Sequence, residues 1–179
     1  MNSILTIGDI APVVGAEDIW ENTIEVPSKR SWNYLSFHRF ANCPFCNLRT
    51  NELITNYNVF KEHKIEVVSI WPSSKPHLLR YSNSVKTPFP MLSNKDKSIY
   101  RAYGVTKSSI WGGAKLIFHP QLIVRALKGK SNTMEVDADP NLMPASFLIS
   151  PKGIVQMAYY GKHFGDHPTI ESIIQAKEQ

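Results

Sequence analysis

Cys43 and Cys46 are the only thiols of the 179-residue chain, and only Pro44 and Phe45 separate them. Two sulfurs at that spacing have three possible jobs: a zinc clip, a structural staple or a redox pair. Zinc needs two further ligands. No second Cys-x-x-Cys exists, and the histidines at 38, 63, 77, 119, 163 and 167 show none of the usual zinc spacings. A staple gains little, because the loop it closes is tiny and loop-closure stabilisation grows with loop length. The redox reading leads, with no metal and no organic cofactor expected.

The flanking pattern says how such a pair would work. An aromatic-rich run at 32–40, "WNYLSFHRF", reads as a buried strand that leads into the cysteines. From Cys43 to about Glu62, apolar residues at Leu48, Leu53, Ile54, Tyr57 and Phe60 follow helical spacing. The first cysteine then sits at or near a helix N-cap, where unpaired N–H groups and the helix dipole favour a thiolate. Pro44 suits the first helical turn. Cys46 lies one turn on and is expected to be the more buried. This makes Cys43 the nucleophile and Cys46 the thiol that resolves a mixed disulfide.

Further strands are expected at 64–71 ("KIEVVSIW"), 145–150 ("ASFLIS") and 153–161 ("GIVQMAYYG"). The last two form a hairpin across the turn signal "PKG". Helices are expected at "SSKPHLLRYSNS" with serine caps, at "KDKSIYRAYG" with Gly104 as C-cap, and at "HPTIESIIQAKE" with Asp166 or His167 as cap. Strand–helix–strand order makes the first two long strands parallel neighbours, with the hairpin adding an antiparallel edge. Residues 1–30 are read as a short hairpin and loop. Residues 105–141 are read as a partly helical insertion, broken by Gly112-Gly113 and Pro120, in one domain spanning 1–179.

Net charge is +5, and the basic residues are densest over 101–130, at Arg101, Lys107, Lys115, Arg125, Lys128 and Lys130. No zinc-finger, helix-turn-helix or RNA-recognition pattern accompanies them, so nucleic acid is not an expected partner. No apolar run approaches the ~20 residues a membrane-spanning helix needs, so no membrane is expected either. The N-terminus lacks a basic start and a continuous apolar centre, and the expected location is cytoplasmic.

Three blocks carry a family resemblance. "GDIAP" (8–12), "RFANCPFCNL" (39–48) and "MPASFLISPKGIVQMAYYGKHFGDH" (143–167) resemble, in order, elements of the AhpC/TSA (peroxiredoxin-like) family of the thioredoxin-like superfamily, in its subgroup with a Cys-Pro-x-Cys site. The resemblance implies an α/β thioredoxin-like fold: a central mixed sheet flanked by helices, with an N-terminal extension and a helical insertion before the final hairpin. It also implies Cys43 as attacking thiol and a cis Met143–Pro144 bond facing the cysteines. Peroxiredoxins proper carry a proline seven residues before the reactive cysteine and Thr or Ser three before it. Here Ser36 and Phe40 stand in those places, and Asn42 replaces a frequent tryptophan.

Cys43 and Cys46 are thus the expected catalytic residues. Pro44, Phe45, Met143, Pro144, Arg39 and Trp71 are assigned to substrate binding. Arg39 is assigned to steadying the thiolate, Trp71 to lining the pocket and Phe45 to an exposed docking contact. Because Phe40 cannot donate a hydroxyl hydrogen bond to peroxide, thiol–disulfide exchange is placed first and a thiol peroxidase for hydrogen peroxide or organic hydroperoxides second. A non-catalytic redox sensor or binding protein is third. The expected partners are disulfide-bearing proteins or small thiols and peroxides, with thioredoxin or glutaredoxin/glutathione as reductant. Self-association as a homodimer is left open.

Overall fold

The computed structural model of the protein describes residues 4–105, 114–128 and 136–178. In chain order its elements are β1 (Val14–Glu17), β2 (Thr23–Val26), β3 (Trp32–Phe37), α1 (Pro44–Thr55), α2 (Tyr57–Glu62), β4 (Ile65–Trp71), α3 (Lys75–Val85), β5 (Met91–Ser93) and α4 (Ser98–Ala102). A 3-10 turn (Lys115–Phe118), α5 (Pro120–Lys128), β6 (Ala145–Ile149), β7 (Val155–Tyr160) and α6 (Ile170–Glu178) follow. Gly112-Gly113, Lys107 and Lys130 lie outside the described residues.

Five strands form one mixed sheet in the order β5-β4-β3-β6-β7. β3 and β4 are parallel, and β6 and β7 pair antiparallel as the hairpin, with β6 antiparallel to β3. Strand alternation divides the core between two faces. Leu35, Phe37, Val68, Ile70 and Phe147 pack with Tyr100 and Tyr103 on one face. Tyr34, Ile65, Val67 and Leu148 pack with Leu53, Phe60 and Ile173 on the other. The central strands are covered on both sides, which is why they read as continuous apolar runs.

The N-terminal hairpin forms as expected, with Val14 opposite Val26. The segment before it lies along the turn into β7: Gly8 and Ala11 donate to Val155 and Gly153 at 2.9 and 2.8 Å. Gly104 ends α4 with φ +64, and its N–H reaches the Arg101 carbonyl at 3.1 Å, as a C-terminal glycine should.

Several expectations need correction. The helix expected over 43–62 divides at Asn56, whose side chain bonds the Glu52 carbonyl at 2.8 Å and competes with the backbone for that acceptor. The strand expected to reach Phe40 stops at Phe37, which frees 38–42 to turn toward the cysteines. β5 lacked a visible signal, because three residues between Pro90 and Asn94 show no periodicity. Neither Asp166 nor His167 caps the last helix. Thr169 does, accepting the Ser172 N–H at 3.2 Å, while Asp166 binds the Tyr159 hydroxyl at 2.6 Å and the Lys162 N–H at 2.7 Å.

The Met143–Pro144 bond is trans: among the described residues the cis bond is Val26–Pro27. Pro144 acts as a strand starter. Its carbonyl accepts the Gly161 N–H at 2.9 Å, and its ring lies where a Cβ on residue 161 would come within 2.9 Å. Standing just before β6, it removes no donor from the ladder.

Candidate active site

The path from β3 to α1 sets up the site. His38 keeps one sheet bond, its N–H to the Ile70 carbonyl at 2.9 Å, and the chain then leaves the sheet. Ala41 is held by its N–H to Ser73 Oγ at 2.8 Å. Asn42 takes φ +62, a left-handed conformation that asparagine tolerates better than most residues. This turn delivers Cys43 to the N-cap of α1, with Pro44 in the first turn, as expected from the sequence.

Cys43 and Cys46 are both free thiols and both fully buried, so the expected contrast in exposure between them does not hold. They differ in electrostatics. The hydrogen bond from the Cys46 thiol pulls the Cys43 pKa down from 9.0 to about 6, although burial opposes ionisation. Arg39 and the N–H groups of Cys46 and Phe45 act in the same lowering direction. Burial pushes Cys46 the other way, well above the ordinary thiol range, and an ionised Cys43 beside it adds to that. One sulfur therefore favours the thiolate and its neighbour the thiol.

Arg39 is 5 % exposed and sits against the pair. Its Nη1 donates to Cys43 Sγ at 3.2 Å, its Nε to the Leu142 carbonyl at 2.9 Å, and its Nη2 to the Pro140 carbonyl. The guanidinium lies 3.5 Å from the centroid of the Phe164 ring and 5.3 Å from that of Phe40. Planar stacking with three directed donors fixes the group in one orientation. A second fastening holds the same segment: Ser73 Oγ donates to Asp137 Oδ1 at 2.7 Å, and the Ser74 N–H reaches Asp137 Oδ2 at 3.2 Å.

Cys43 lies at a cavity of about 500 Å³ lined by Arg39, Phe40, Pro44, Phe45, Ile123, Ala126, Val136, Pro140, Asn141 and Phe164. Three of the expected binding residues, Arg39, Pro44 and Phe45, are in that lining. Phe45 is half-buried, with its ring 3.1 Å from where a Cβ on residue 165 would stand, so it is a cavity wall and not the expected exposed contact. Met143 and Pro144 are not in the lining; Pro140 and Asn141 take that place, and the Leu142 carbonyl accepts from Arg39 Nε behind them. Trp71 is fully buried beneath the site, stacked on His38 at 3.9 Å and 3°, and belongs to the core around both cysteines.

Phe164 was not singled out in the sequence. Phe164 lies inside "GKHFGDH", between the more conspicuous histidines, and its aromatic character was the only available signal. His38 is fully buried, with both ring nitrogens unpartnered, and burial and the charge of Arg49 lower its pKa to about 3. Among the described residues, no three His, Cys, Asp or Glu side chains gather as a metal site would require. No helix among them is long and apolar enough to cross a membrane.

Comparison with known proteins agrees with this architecture. A protein of Buchnera aphidicola subsp. Schizaphis graminum named "Putative peroxiredoxin bcp" is 28 % identical over 164 residues, covering 91 % of this chain and 89 % of its own. The peroxidoxin BcpB structure from Mycobacterium tuberculosis superposes with a TM-score of 0.70 at 13 % identity, covering 96 % of each chain. A peroxiredoxin-like protein from Aquifex aeolicus gives 0.70 at 16 % identity, over 98 % of this chain and 88 % of its own. These likenesses show the thioredoxin-like fold. The AhpC/TSA family model matches residues 7–158, which takes in the β3–α1 cysteine turn and most of the closing hairpin, and the chain belongs to that family.

Proposed function

We propose that the protein is a thiol peroxidase, working as one thioredoxin-like unit, with Cys43 as the peroxide-reactive thiol and Cys46 as the resolving thiol. The observation that carries this reading is a thiolate-favouring Cys43 at an apolar cavity, with Arg39 Nη1 3.2 Å from its sulfur. The sequence alone ranked disulfide exchange first, and two features reverse that order. Attack on a protein disulfide needs the sulfur aligned with an incoming S–S bond, and a fully buried Sγ admits a slender hydroperoxide more readily. The trans bond at Pro144 removes the expected substrate-presenting loop.

The Cys43 thiolate attacks the terminal oxygen of R–O–OH. An S–O bond forms, the O–O bond breaks, and the departing alkoxide takes a proton from water to become R–OH, leaving Cys43 as a sulfenic acid. Phe40 supplies no hydroxyl here, so the Arg39 guanidinium is the donor beside the reacting atoms. Cys46 then forms an S–S bond to Cys43, its thiol proton leaving with the sulfenic hydroxide as water. Two thiols, both from a thioredoxin-type dithiol or one from each of two glutathione molecules through a glutaredoxin, return Cys43 and Cys46 to the reduced state and are themselves oxidised to a disulfide. The reading carries a cytoplasmic setting with it, because such systems keep thiols reduced there.

Thiol–disulfide exchange stays as the second reading on one observation, the one-turn spacing of Cys43 and Cys46 on α1. Stopped-flow oxidation of the reduced protein separates the two. Hydrogen peroxide and an alkyl hydroperoxide should react faster than a small disulfide, and Cys46→Ser should accumulate a dimedone-reactive sulfenic acid at Cys43. Faster reaction with the disulfide would install exchange instead. Unchanged peroxide reactivity in Cys43→Ser would refute both.

A further inference from the structure

A different surface carries no role in that chemistry. From Arg101 to Met134 the chain holds Arg101, Lys107, Lys115, Arg125, Lys128 and Lys130 and not one Asp or Glu. Within this stretch, α5 shows two faces. Ile123 and Ala126 turn inward as walls of the Cys43 cavity. Gln121, Val124, Arg125 and Lys128, spaced three and four apart, form an exposed outer stripe. Just before it, the 3-10 turn leaves Ile117 73 % and Phe118 81 % exposed, beside the exposed Lys115. Phe118 and Arg125 line one surface groove, so the apolar tip and the basic stripe are a single patch.

We propose that this patch docks the protein on anionic lipid surfaces, with Ile117 and Phe118 entering the headgroup–acyl boundary and Lys115, Arg125 and Lys128 meeting lipid phosphates. Charge complementarity selects this occupant. An exposed apolar tip beside a basic helix face, with no acidic residue in either, suits peripheral binding at an anionic membrane interface. A second copy fits poorly, since a two-fold interface centred here would set Arg125 and Lys128 against their own counterparts. Glu52, which shares a surface groove with Arg125, is paired with Arg49 at 2.6 Å. Such docking is peripheral, so it is compatible with the absence of a spanning helix among the described residues. It also does not depend on which oxidant Cys43 takes.

Vesicle flotation of the full chain tests it. The protein should float with phosphatidylcholine vesicles containing phosphatidylglycerol, stay behind with pure phosphatidylcholine, and be released by high salt. Arg125→Glu with Lys128→Glu should lower partitioning ~tenfold or more. Ile117→Ser with Phe118→Ser should lower it too, without changing net charge. Ile7→Ser with Ile10→Ser, at another exposed apolar site, should leave it unchanged. All six positions are exposed, and circular dichroism checks that each variant folds. No flotation with anionic vesicles at low salt, equal flotation with neutral ones, or binding that survives both α5-region variants would overturn the proposal. So would a self-association or nucleic-acid retention lost in those variants while vesicles are ignored.

Discussion

At Cys43 the strongest influence on the sulfur comes from its own partner, since the Cys46 thiol donates the hydrogen bond that does most to favour the thiolate. Cys46→Ala removes a donor to the charged form, so the Cys43 pKa should rise from about 6, and the midpoint of its alkylation rate against pH should move to higher pH. Iodoacetamide kinetics across the acid-to-neutral range measure this; an unmoved midpoint would deny Cys46 that role. The lowered pKa also has a stability consequence. The stabilisation from an ionised Cys43 is complete above pH 9.0 and is lost as pH falls through about 6. For Arg39→Met, losing a hydrogen bond to a charged group of about 1.5–3 kcal/mol should slow peroxide oxidation of Cys43 by ~10- to 100-fold. Arg39→Lys should not restore the rate, because one ammonium cannot serve Cys43 Sγ, the Pro140 carbonyl and the Leu142 carbonyl together.

At the scale of elements, the β3–α1 turn sets where the sulfur points. Asn42 holds its left-handed φ of +62 one residue before the cap. Asn42→Gly should be close to neutral for stability, whereas the β-branched Asn42→Val should cost about 1–2 kcal/mol. Urea denaturation gives the difference. The same strain falls beside Cys43, so the valine variant should also slow alkylation at saturating pH, where thiolate fraction no longer matters. Equal stability of the two variants would mean that the turn does not require a left-handed residue.

Across the whole molecule, two neutral histidines whose ring nitrogens are buried without partners bear on stability in acid. Burial leads in holding His38 at about 3 and His167 well below 6.5, with the Arg49 charge acting the same way on both. The unfolded chain protonates its histidines near 6.5 and the folded chain does not, so the unfolded state binds more protons below that value. Stability should therefore fall as pH drops from 6.5 toward 3, each histidine adding a slope of up to ~1.4 kcal/mol per pH unit. His38→Phe keeps a ring against Trp71 and removes one titrating group. Its unfolding free energy should depend less steeply on pH across that window, as read from denaturant midpoints. A slope equal to that of the parent would mean that His38 already takes up a proton when folded.

The four longer sheet strands, the hairpin, the placement of Cys43 at a helix start and the family were legible in the sequence, because each rests on local periodicity, on turn chemistry such as "PKG", or on motifs a few residues long. Arg39 and Phe45 were legible as neighbours of the thiols. Their working geometry was not, since the acceptors and stacking partner of Arg39 lie about a hundred residues away in sequence, at Pro140, Leu142 and Phe164. Trp71 was assigned to the pocket because its strand ends there, yet strand alternation turned its ring into the core against His38. Met143 and Pro144 were drawn in by a motif, but chain direction before β6 presents Pro140 and Asn141 to the cavity instead. The residue types at 43–46 by themselves determined that a thiol pair would stand at a helix N-terminus, because capping and helical spacing act within a turn. Only the tertiary structure decided that this pair is buried under an apolar cavity beside one oriented guanidinium, because burial and directed contacts depend on segments that folding alone brings together.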